Sequence, residues 1–389
     1  MMKIKCMNPI AAVGLDLLPS DQYELTDEFN EADAVLVRSA SMHDLEMPKQ
    51  LLAIARAGAG VNNIPLDRCA EQGIVVFNSP GANANGVKEA VLAGLLLGSR
   101  DYIGGNKWVE SVKDDPNVSK LVEKEKKKFA GHEIKGKKIG VIGLGAVGVL
   151  VANACIALGM EVYGYDPFIS VKSAWNLSKN IKHISNVDDI YRDCDYITVH
   201  VPLMDSTRNT INKDAFDKMK DGVVILNFAR DPIVNDDDME QALKSGKVRK
   251  YVTDFPNTRT AGMEGVIAIP HLGASTQEAE DNCAVMACRE LRDFIENGNI
   301  VNSVNYPACT SGPKIEGVHR ITVCHKNIPT ILGKITSAFR DGTINIENMI
   351  NKSRNGYAYT IIDVTGDITD VVMDELNAVD GVIRIRVID

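Results

Sequence analysis

Short apolar runs alternate with longer amphipathic segments along most of the chain, a pattern typical of parallel sheets joined by crossover helices. Three early strands are predicted at 34–38, 51–56 and 74–77. A polar or glycine-rich turn follows each of them. Because open α/β sheets bind ligands beyond the carboxyl ends of their strands, these three turns are candidate ligand-binding loops.

The next part of the chain predicts a helix of small and apolar residues from Glu89 to Arg100. The charged run at 120–128 then indicates a solvated helix face. A second α/β unit opens at Lys137 and extends to about Pro270. The following helix has Ser275 and Glu278 at capping-box spacing. We expect this helix to return to the first domain, which would make that domain discontinuous.

Residues 301–317 have little periodicity and are predicted to be a linker. Beyond them, alternating strand and helix patterns predict a βαββαβ domain. Its strands are expected at 318–324, 344–350, 357–364 and 382–388, with helices at 329–340 and 369–376. The predicted division of the chain is therefore a first domain of 1–95 and 272–300, a second of 96–271, the linker, and a C-terminal domain of 318–389.

Composition narrows the class of protein. The 389 residues exceed one ordinary core, and a net charge of −9 disfavours nucleic acid and anionic membranes as partners. An anionic substrate would therefore need local arginines. No apolar run approaches the ~20 residues of a membrane span, and the N-terminus has no signal-peptide pattern. The eight cysteines and seven histidines lack metal-ligand spacing, so no metal site is expected. Several of these cysteines lie in apolar or helical surroundings, which predicts reduced thiols and a cytoplasmic location.

A glycine fingerprint marks a dinucleotide site at Gly143, Gly145 and Gly148. The three glycines allow a tight turn, close approach of a pyrophosphate and close packing of the following helix. A strand precedes the fingerprint, and a second strand ends at Asp166, where a carboxylate would bind the ribose hydroxyls. No arginine follows Asp166 to accept a 2′-phosphate, so the sequence favours NAD over NADP.

Further motifs then appear in order. They read His-Val-Pro-Leu at 200–203, Asn-Phe-Ala-Arg at 227–230, Thr-Asp-Phe-Pro at 253–256 and Pro-His-Leu-Gly-Ala-Ser-Thr at 270–276. Together with 37–39, 56–60 and 77–80, they resemble the D-isomer-specific 2-hydroxy acid dehydrogenases, and the first half resembles the phosphoglycerate branch. The resemblance implies a Rossmann-type NAD domain inserted into a discontinuous flavodoxin-like substrate domain.

The resemblance also implies an activity, the NAD-dependent oxidation of 3-phospho-D-glycerate to 3-phosphohydroxypyruvate, at the entry to serine biosynthesis. Two alternatives stay open. One is a dehydrogenase or reductase of another 2-hydroxy or 2-keto acid. The other is a catalytically weak regulatory protein that senses NAD or serine on the same fold.

The catalytic residues follow from the reaction. His271 would move the proton of the C2 oxygen, and the planar fork of Arg230 would bind the substrate carboxylate. The family normally places a glutamate a few residues after the position of Asp254, but none occurs here before Glu264. Either Glu264 reaches the site as the partner of His271, or His271 works without the usual carboxylate. The hypothesis is that the pKa of His271 is less elevated than in relatives, so that reduction loses rate at high pH.

The resemblance assigns the remaining site residues. Those expected to bind the cofactor are Gly143, Gly145, Ala146, Val147, Gly148, Asp166, His200, Val201, Pro202, Thr207, Asn227, Ala229, Asp254 and Gly273. Those expected to bind the phosphorylated substrate are Arg38, Ser39, Arg56, Ala59, Gly60 and Asn83.

The C-terminal pattern resembles an ACT domain, an amino-acid-sensing module with a ferredoxin-like fold. Transfer by motif makes His325, Asn327 and Asn345 the residues that would bind serine as an effector, with 342–346 fitting the second strand. Thr330 stands where the family usually has glycine. The alternative is a dimerisation domain that binds no ligand. In either case a homodimer or homotetramer is expected.

Overall fold

The computed structural model describes residues 1–340 and 344–388. They form two compact units: Met1–Asn83 joins the chain from Gln277 onwards, and Ala84–Thr276 forms the second unit. The first unit is thus discontinuous, as predicted, although the crossing points differ from the predicted residues 95 and 272. Within the described residues, no helix combines the length and the apolarity that a membrane span requires.

The first unit opens with a five-stranded parallel sheet in the order β2-β1-β3-β4-β5. This is the flavodoxin-like order, with the topological switch beside the first strand. All four residues of its third strand are buried, as expected for a parallel strand covered on both faces. The elements are β1 (Met2–Cys6), α1 (Ala12–Leu15), β2 (Tyr23–Thr26), a 3-10 turn (Phe29–Glu31), β3 (Ala34–Val37), β4 (Ala53–Arg56), α2 (Leu66–Glu71) and β5 (Val75–Phe77).

The second unit contains a seven-stranded sheet in the order β12-β11-β10-β9-β6-β7-β8, and every pair is parallel. Its order reverses beside β6, which is the Rossmann switch point. The elements are α3 (Ala84–Ser99), α4 (Tyr102–Ser111), α5 (Val118–Glu125), β6 (Lys138–Ile142), α6 (Ala146–Ala157), β7 (Glu161–Tyr165), α7 (Val171–Trp175), β8 (Lys182–His183), α8 (Val187–Asp193), β9 (Tyr196–Val199), α9 (Lys213–Lys218), β10 (Val223–Asn227), α10 (Asp236–Lys244), β11 (Val248–Thr253) and β12 (Val266–Ala268), with 3-10 turns at Lys126–Phe129, Asp231–Ile233 and Thr260–Gly262.

Close packing explains why α3 belongs to the second unit although residues up to 95 were predicted in the first. A Cβ atom at Gly94 would lie 2.7 Å from the Phe228 ring, and one at Gly98 would lie 2.9 Å from Val224. The small residues of α3 therefore press this helix against the second sheet. Gly273 packs closely against Val87 of the same helix, since a Cβ at Gly273 would lie 3.0 Å from the Val87 side chain. The charged helix α5 has no buried residue, in agreement with the predicted solvated face.

The chain returns to the first unit through α11 (Gln277–Asn297), which packs against α1 where Gly14 admits the backbone of Ala284. A four-stranded antiparallel sheet follows in the order β14-β15-β13-β16, the ferredoxin-like arrangement of a βαββαβ domain. Gly342, part of the predicted effector motif, lies outside the described residues. The elements are β13 (His319–Lys326), α12 (Ile331–Ser337), β14 (Asn345–Arg354), β15 (Tyr357–Thr365), α13 (Asp370–Asn377) and β16 (Val382–Ile388).

The segment predicted as a linker instead lies along the free edge of β5. Val304 donates its amide to the Val76 carbonyl at 2.9 Å. The Asn305 side chain accepts from the Val76 amide at 2.9 Å and donates to the Ile74 carbonyl at 2.8 Å. Tyr306 is fully buried, and its hydroxyl donates to the Ala70 carbonyl. The polar residues that suggested a linker satisfy the backbone groups of a sheet edge.

The C-terminal sheet packs directly on the first unit. Tyr359 and Ile361 belong to the same hydrophobic core as Phe77 and Phe294. On the edge strand β16, Arg384 donates to the carbonyls of Lys49 and Leu51. Arg386 on the same strand donates to the carbonyls of Phe294 and Ile295. The C-terminal domain is therefore built into the first unit, with no flexible tether between the two.

A buried ion pair should contribute strongly to this junction. Arg320 and Asp363 form two hydrogen bonds of 2.6 and 3.1 Å, with 1% and 6% of their side chains exposed. We expect Arg320→Met to cost about 3–5 kcal/mol of unfolding free energy, because it leaves the buried charge of Asp363 without a cation. The exposed pair Lys213–Asp217 supplies the control, and Lys213→Met should cost about 1 kcal/mol or less. Urea unfolding of both variants measures the difference; equal losses would contradict this expectation.

Candidate active site

The glycine fingerprint forms the turn between β6 and α6. Gly143 has a φ of +93°, and a Cβ there would lie 2.8 Å from the backbone of His200. A Cβ at Gly148 would collide with the Gly143 carbonyl oxygen, so both positions require glycine. By contrast, apart from its two chain neighbours, no residue has an atom within 4 Å of a Cβ at Gly145. The space above Gly145 and the amide end of α6 at Ala146 and Val147 can therefore accept a pyrophosphate.

Two polar loops flank this turn. Asp166 follows β7, and its two carboxylate oxygens accept the amides of Leu144 and Phe168 at 2.8 Å each. His200 follows β9 and shares a 2.9 Å hydrogen bond with the Thr198 hydroxyl. Burial lowers the pKa of His200 to about 4, so its imidazole is neutral at neutral pH. The carboxylate of Asp166 thus holds the fingerprint turn. Each of its oxygens keeps a further lone pair, which could accept a hydrogen bond from a ribose hydroxyl.

The loop after β9 and the turn after β10 are closed by side chains of the predicted cofactor residues. The Thr207 hydroxyl donates to the Pro202 carbonyl at 2.6 Å, which rounds the loop that begins at Val201. Asn227 is fully buried; its amide nitrogen donates to the Arg230 carbonyl at 2.9 Å, and its oxygen accepts the Ala229 amide at 3.2 Å. Asn227 therefore shapes the turn that presents Arg230.

Asp254 is a buried carboxyl with an unused oxygen. Only 2% of the residue is exposed, and Oδ1 has no hydrogen-bond partner. Burial raises the pKa of Asp254 to about 6, although the charge of Arg230 opposes this shift. A buried acceptor without a donor is costly, so this oxygen fits the amide group of a bound nicotinamide. Together with the open cradle at Gly145, it shows that the residues present suit NAD.

Arg230 and His271 both contact the ring of Phe255. The Arg230 guanidinium carbon lies 5.3 Å from the ring centroid, and the His271 ring centroid lies 4.4 Å away at an interplanar angle of 45°. The Ile269 amide donates to the Thr253 carbonyl at 3.0 Å, which joins the ends of β11 and β12 and brings these three side chains together. Partial burial and the charge of Arg230 lower the pKa of His271 below its ordinary value.

The loop that would carry the usual glutamate is anchored elsewhere. Asn257 donates to the carboxylates of Asp231 and Asp236 at 2.8 and 2.7 Å. Arg259 forms ion pairs of 2.7 Å with Asp237 and 3.1 Å with Glu240. These contacts hold the loop against the beginning of α10. In the described residues, no carboxylate hydrogen-bonds to His271.

The structure does not bring Glu264 and His271 together. Glu264 is exposed and precedes β12, whereas His271 follows that strand. Because side chains at the two ends of a strand lie at opposite edges of the sheet, Glu264 cannot hydrogen-bond to His271 in this arrangement. No group of three or more His, Cys, Asp or Glu residues within 1–340 and 344–388 could hold a metal ion.

The predicted substrate residues of the first unit lie at the ends of neighbouring strands. Arg38 follows β3 and Arg56 ends β4. Arg56 donates from Nε to the Arg38 carbonyl at 2.9 Å and from a terminal nitrogen to the Gly60 carbonyl. The Asn78 side chain donates to the Ala59 carbonyl at 2.6 Å. Arg56 therefore shapes the 57–60 loop, while Asn83 lies at the end of the unit.

Asn8 organises the neighbouring loop and was not found from the sequence. Its side-chain oxygen accepts the amides of Arg38, Ser39 and Ala40, each at 3.0 Å. A polar residue soon after β1, at the same sheet edge as the other candidates, was the available signal. Phe255 was also missed. It belongs to the Thr-Asp-Phe-Pro motif, in which only Asp254 was assigned a role.

Comparison with known proteins identifies the family. The model of the D-isomer specific 2-hydroxyacid dehydrogenase NAD binding domain matches residues 94–273. A D-3-phosphoglycerate dehydrogenase of Haemophilus influenzae is 30% identical over 383 residues, which covers 95% of this chain and 89% of that protein. The chain belongs to the D-isomer specific 2-hydroxyacid dehydrogenases. In Archaeoglobus fulgidus, a D-3-phosphoglycerate dehydrogenase is 32% identical, with 88% of this chain and 66% of the relative covered.

Two solved structures have the same fold as this chain. The NAD+-bound 3-phosphoglycerate dehydrogenase of Entamoeba histolytica matches with a TM-score of 0.62 and 26% identity, covering 78% of this chain and 98% of that one. D-mandelate dehydrogenase of Rhodotorula graminis matches with a TM-score of 0.65 and 22% identity, covering 80% and 99%. The NAD binding domain of the family is therefore present here, with the fingerprint glycines and Asp254 inside the matched range.

The aromatic contact should matter for turnover by this dehydrogenase. We expect Phe255→Leu to lower kcat about tenfold or more, because the flat ring that fixes His271 is lost and small misplacements of a catalytic group are costly. NADH affinity, measured by fluorescence titration, should change little. The control is Trp175→Leu, which removes an aromatic ring that is 84% exposed. Equal kcat values for both variants would show that the Phe255 ring does not orient His271.

Proposed function

We propose that the chain oxidises 3-phospho-D-glycerate to 3-phosphohydroxypyruvate with NAD, and catalyses the reverse reduction. The observation that carries the proposal is the grouping of Arg230 and His271 on one aromatic ring within the NAD binding domain. The names of relatives that match most of the chain support the phosphorylated substrate. The reaction converts the C2 alcohol to a ketone and releases one proton.

His271 is the proton acceptor in this mechanism. The fingerprint turn and Asp254 would hold NAD, which would supply the acceptor for the hydride of the substrate C2. His271 removes the proton from the C2 hydroxyl in oxidation and returns it in reduction. The lowered pKa keeps the ring neutral at neutral pH, which is the form that oxidation requires. In the family the ring is oriented by a carboxylate; here the face of Phe255 supports it.

Arg230 binds the substrate carboxylate, which is bonded to the reacting carbon C2. Its guanidinium can donate two parallel hydrogen bonds to the substrate carboxylate. One terminal nitrogen already donates to the Ala229 carbonyl at 2.6 Å, which limits the rotation of the side chain. Arg230 thereby orients C2, and its charge also favours the oxyanion character that develops as the C2 hydroxyl loses its proton.

The phosphate is assigned to the loops of the first unit. Since the chain carries a net charge of −9, a doubly charged substrate needs fixed cations to offset the background. Arg38 is the principal phosphate ligand in this proposal, with Ser39 and the loop of Ala59 and Gly60 beside it. Arg56 contributes charge while it holds that loop.

A second candidate is the reduction of an unphosphorylated 2-keto acid. The observation in its favour is that Arg38 already pairs with Glu280 at 2.5 Å, which reduces the free positive charge at the proposed phosphate loop. A glyoxylate reductase from Paecilomyes thermophila shares the fold, with 23% identity and a TM-score of 0.61. The two candidates differ only in the group attached to the keto acid, so substrate comparison separates them.

Serine binding and self-assembly complete the proposal. His325 is 1% exposed, and its two ring nitrogens lie 2.9 Å from the Lys326 carbonyl and 2.8 Å from the Thr360 hydroxyl, so serine would have to displace one of them. Asn327 and Asn345 are exposed. Thr330 has a φ of +70°, a conformation that glycine adopts without strain. The resemblance supports a homodimer or homotetramer, and eight free thiols support a reducing, cytoplasmic setting.

The substrate can be identified by following NADH consumption with 3-phosphohydroxypyruvate, hydroxypyruvate and 2-oxoglutarate, each with and without serine. We expect the phosphorylated substrate to have the highest kcat/KM, because its phosphate offers Arg38 more negative charge and more acceptor oxygens than a carboxylate or a hydroxyl does. Preference for hydroxypyruvate would favour the second candidate. Inhibition by serine that is lost in Asn345→Ala would support the effector site; no inhibition would leave the C-terminal domain a structural role.

The pH dependence follows from the lowered pKa of His271. Reduction requires the protonated ring, so its kcat/KM should fall as pH rises through that pKa, below the ordinary histidine value of about 6.5. Oxidation requires the neutral ring and should keep its rate down to the same pH. Initial rates in both directions between about pH 5 and 9 provide the measurement, since kcat/KM reports groups of the free enzyme. A reduction rate that stays level to about pH 8 would contradict the lowered pKa.

A further inference from the structure

Arg38 is held by a carboxylate from a distant part of the chain. Its terminal nitrogen lies 2.5 Å from Oε1 of Glu280, which is in the first turn of α11. The two side chains are 42% and 38% exposed, so water and small ions reach both of them. Both residues belong to the first unit, and 242 positions separate them in sequence.

The main-chain donors of this loop are engaged by a neutral acceptor. The amides of Arg38, Ser39 and Ala40 all donate to the side-chain oxygen of Asn8. Arg56 donates to the main-chain carbonyls of Arg38 and Gly60. The Arg38 guanidinium differs from these amides, because it pairs with a full negative charge. A substrate phosphate at this loop would therefore meet Glu280 as a competing anion.

We propose that Glu280 is a specificity-determining residue that acts as an internal counter-ion of Arg38 and competes with the substrate phosphate for it. This inference rests on the proposed function, which makes Arg38 the phosphate ligand. A phosphate dianion carries more charge and more acceptor oxygens than one carboxylate, so it can displace Glu280 from a partly exposed pair. Hydroxypyruvate has no second anionic group and therefore leaves the pair intact.

The test is Glu280→Gln, which removes the charge and keeps the size of the side chain. We expect the KM for 3-phosphohydroxypyruvate, relative to that for hydroxypyruvate, to fall about two- to fivefold, the range of an exposed ion pair. The gain should shrink at high salt, which screens the competing charge. Glu278→Gln is the matched control: it changes the same charge in the same turn of α11, and it should leave the ratio unchanged.

The opposite sign would overturn the inference. A rise in the KM ratio would mean that Glu280 holds Arg38 in its binding position, and an unchanged ratio would mean that it has no effect on phosphate binding. An equal fall in the KM ratio for Glu278→Gln would mean that any lost negative charge in this turn has the same effect, and this would also contradict the inference. If no phosphorylated keto acid is turned over, the proposed function fails by itself. Calorimetric titration with inorganic phosphate then tests the pair directly: tighter binding by Glu280→Gln supports the inference, and equal affinity refutes it.

Discussion

Parallel pairing forces the strands of a sheet to end at the same edge, and both parallel sheets of this chain rely on that constraint. In the second unit, β6, β7, β9, β10 and β11 end at the fingerprint turn, Asp166, His200, Arg230 and Asp254. In the first unit, β3 and β4 end at Arg38 and Arg56. Residues that are far apart in sequence thus become neighbours without any element designed for that purpose. The reactive groups inherit their positions from backbone hydrogen bonds, which are rigid, and less from the loops themselves.

Much of this arrangement could be predicted, because it depends on local patterns. Strands such as Glu161–Tyr165 and Val223–Asn227 were located correctly, since short apolar runs beside turn residues identify buried parallel strands. The glycine fingerprint, the flavodoxin-like and Rossmann orders, and the family were also identified. Arg230 and His271 were chosen from sequence motifs, and the structure places both of them against the ring of Phe255.

What could not be predicted depends on pairing between distant residues. Nothing in the segment 301–307 indicates that Asn305 and Tyr306 complete the edge of β5, because its polar composition also suits a linker. The partner of Arg38 is a glutamate in another element, and charge patterning along one helix cannot reveal it. The unit boundary near α3 depends on the close contacts of Gly94 and Gly98. The sequence shows the two glycines but does not show which sheet they pack against. Phe255 shows the same limit: its role arises from two side chains that only the fold brings to it.

The interlocked first unit has a consequence for how the chain folds during synthesis. Its opening sheet, β1 to β5, leaves the ribosome early, but α11, the edge segment and the C-terminal sheet that complete its core come after the whole of Ala84–Thr276. At translation rates of roughly 5–20 residues per second, about 15–60 s pass between the synthesis of β3 and β4 and that of the last element that covers their apolar side chains. The second unit, continuous in sequence, can fold in that interval. Newly made chains should therefore carry an unfinished first sheet beside a finished NAD domain, and this interval is when chaperones would be needed most.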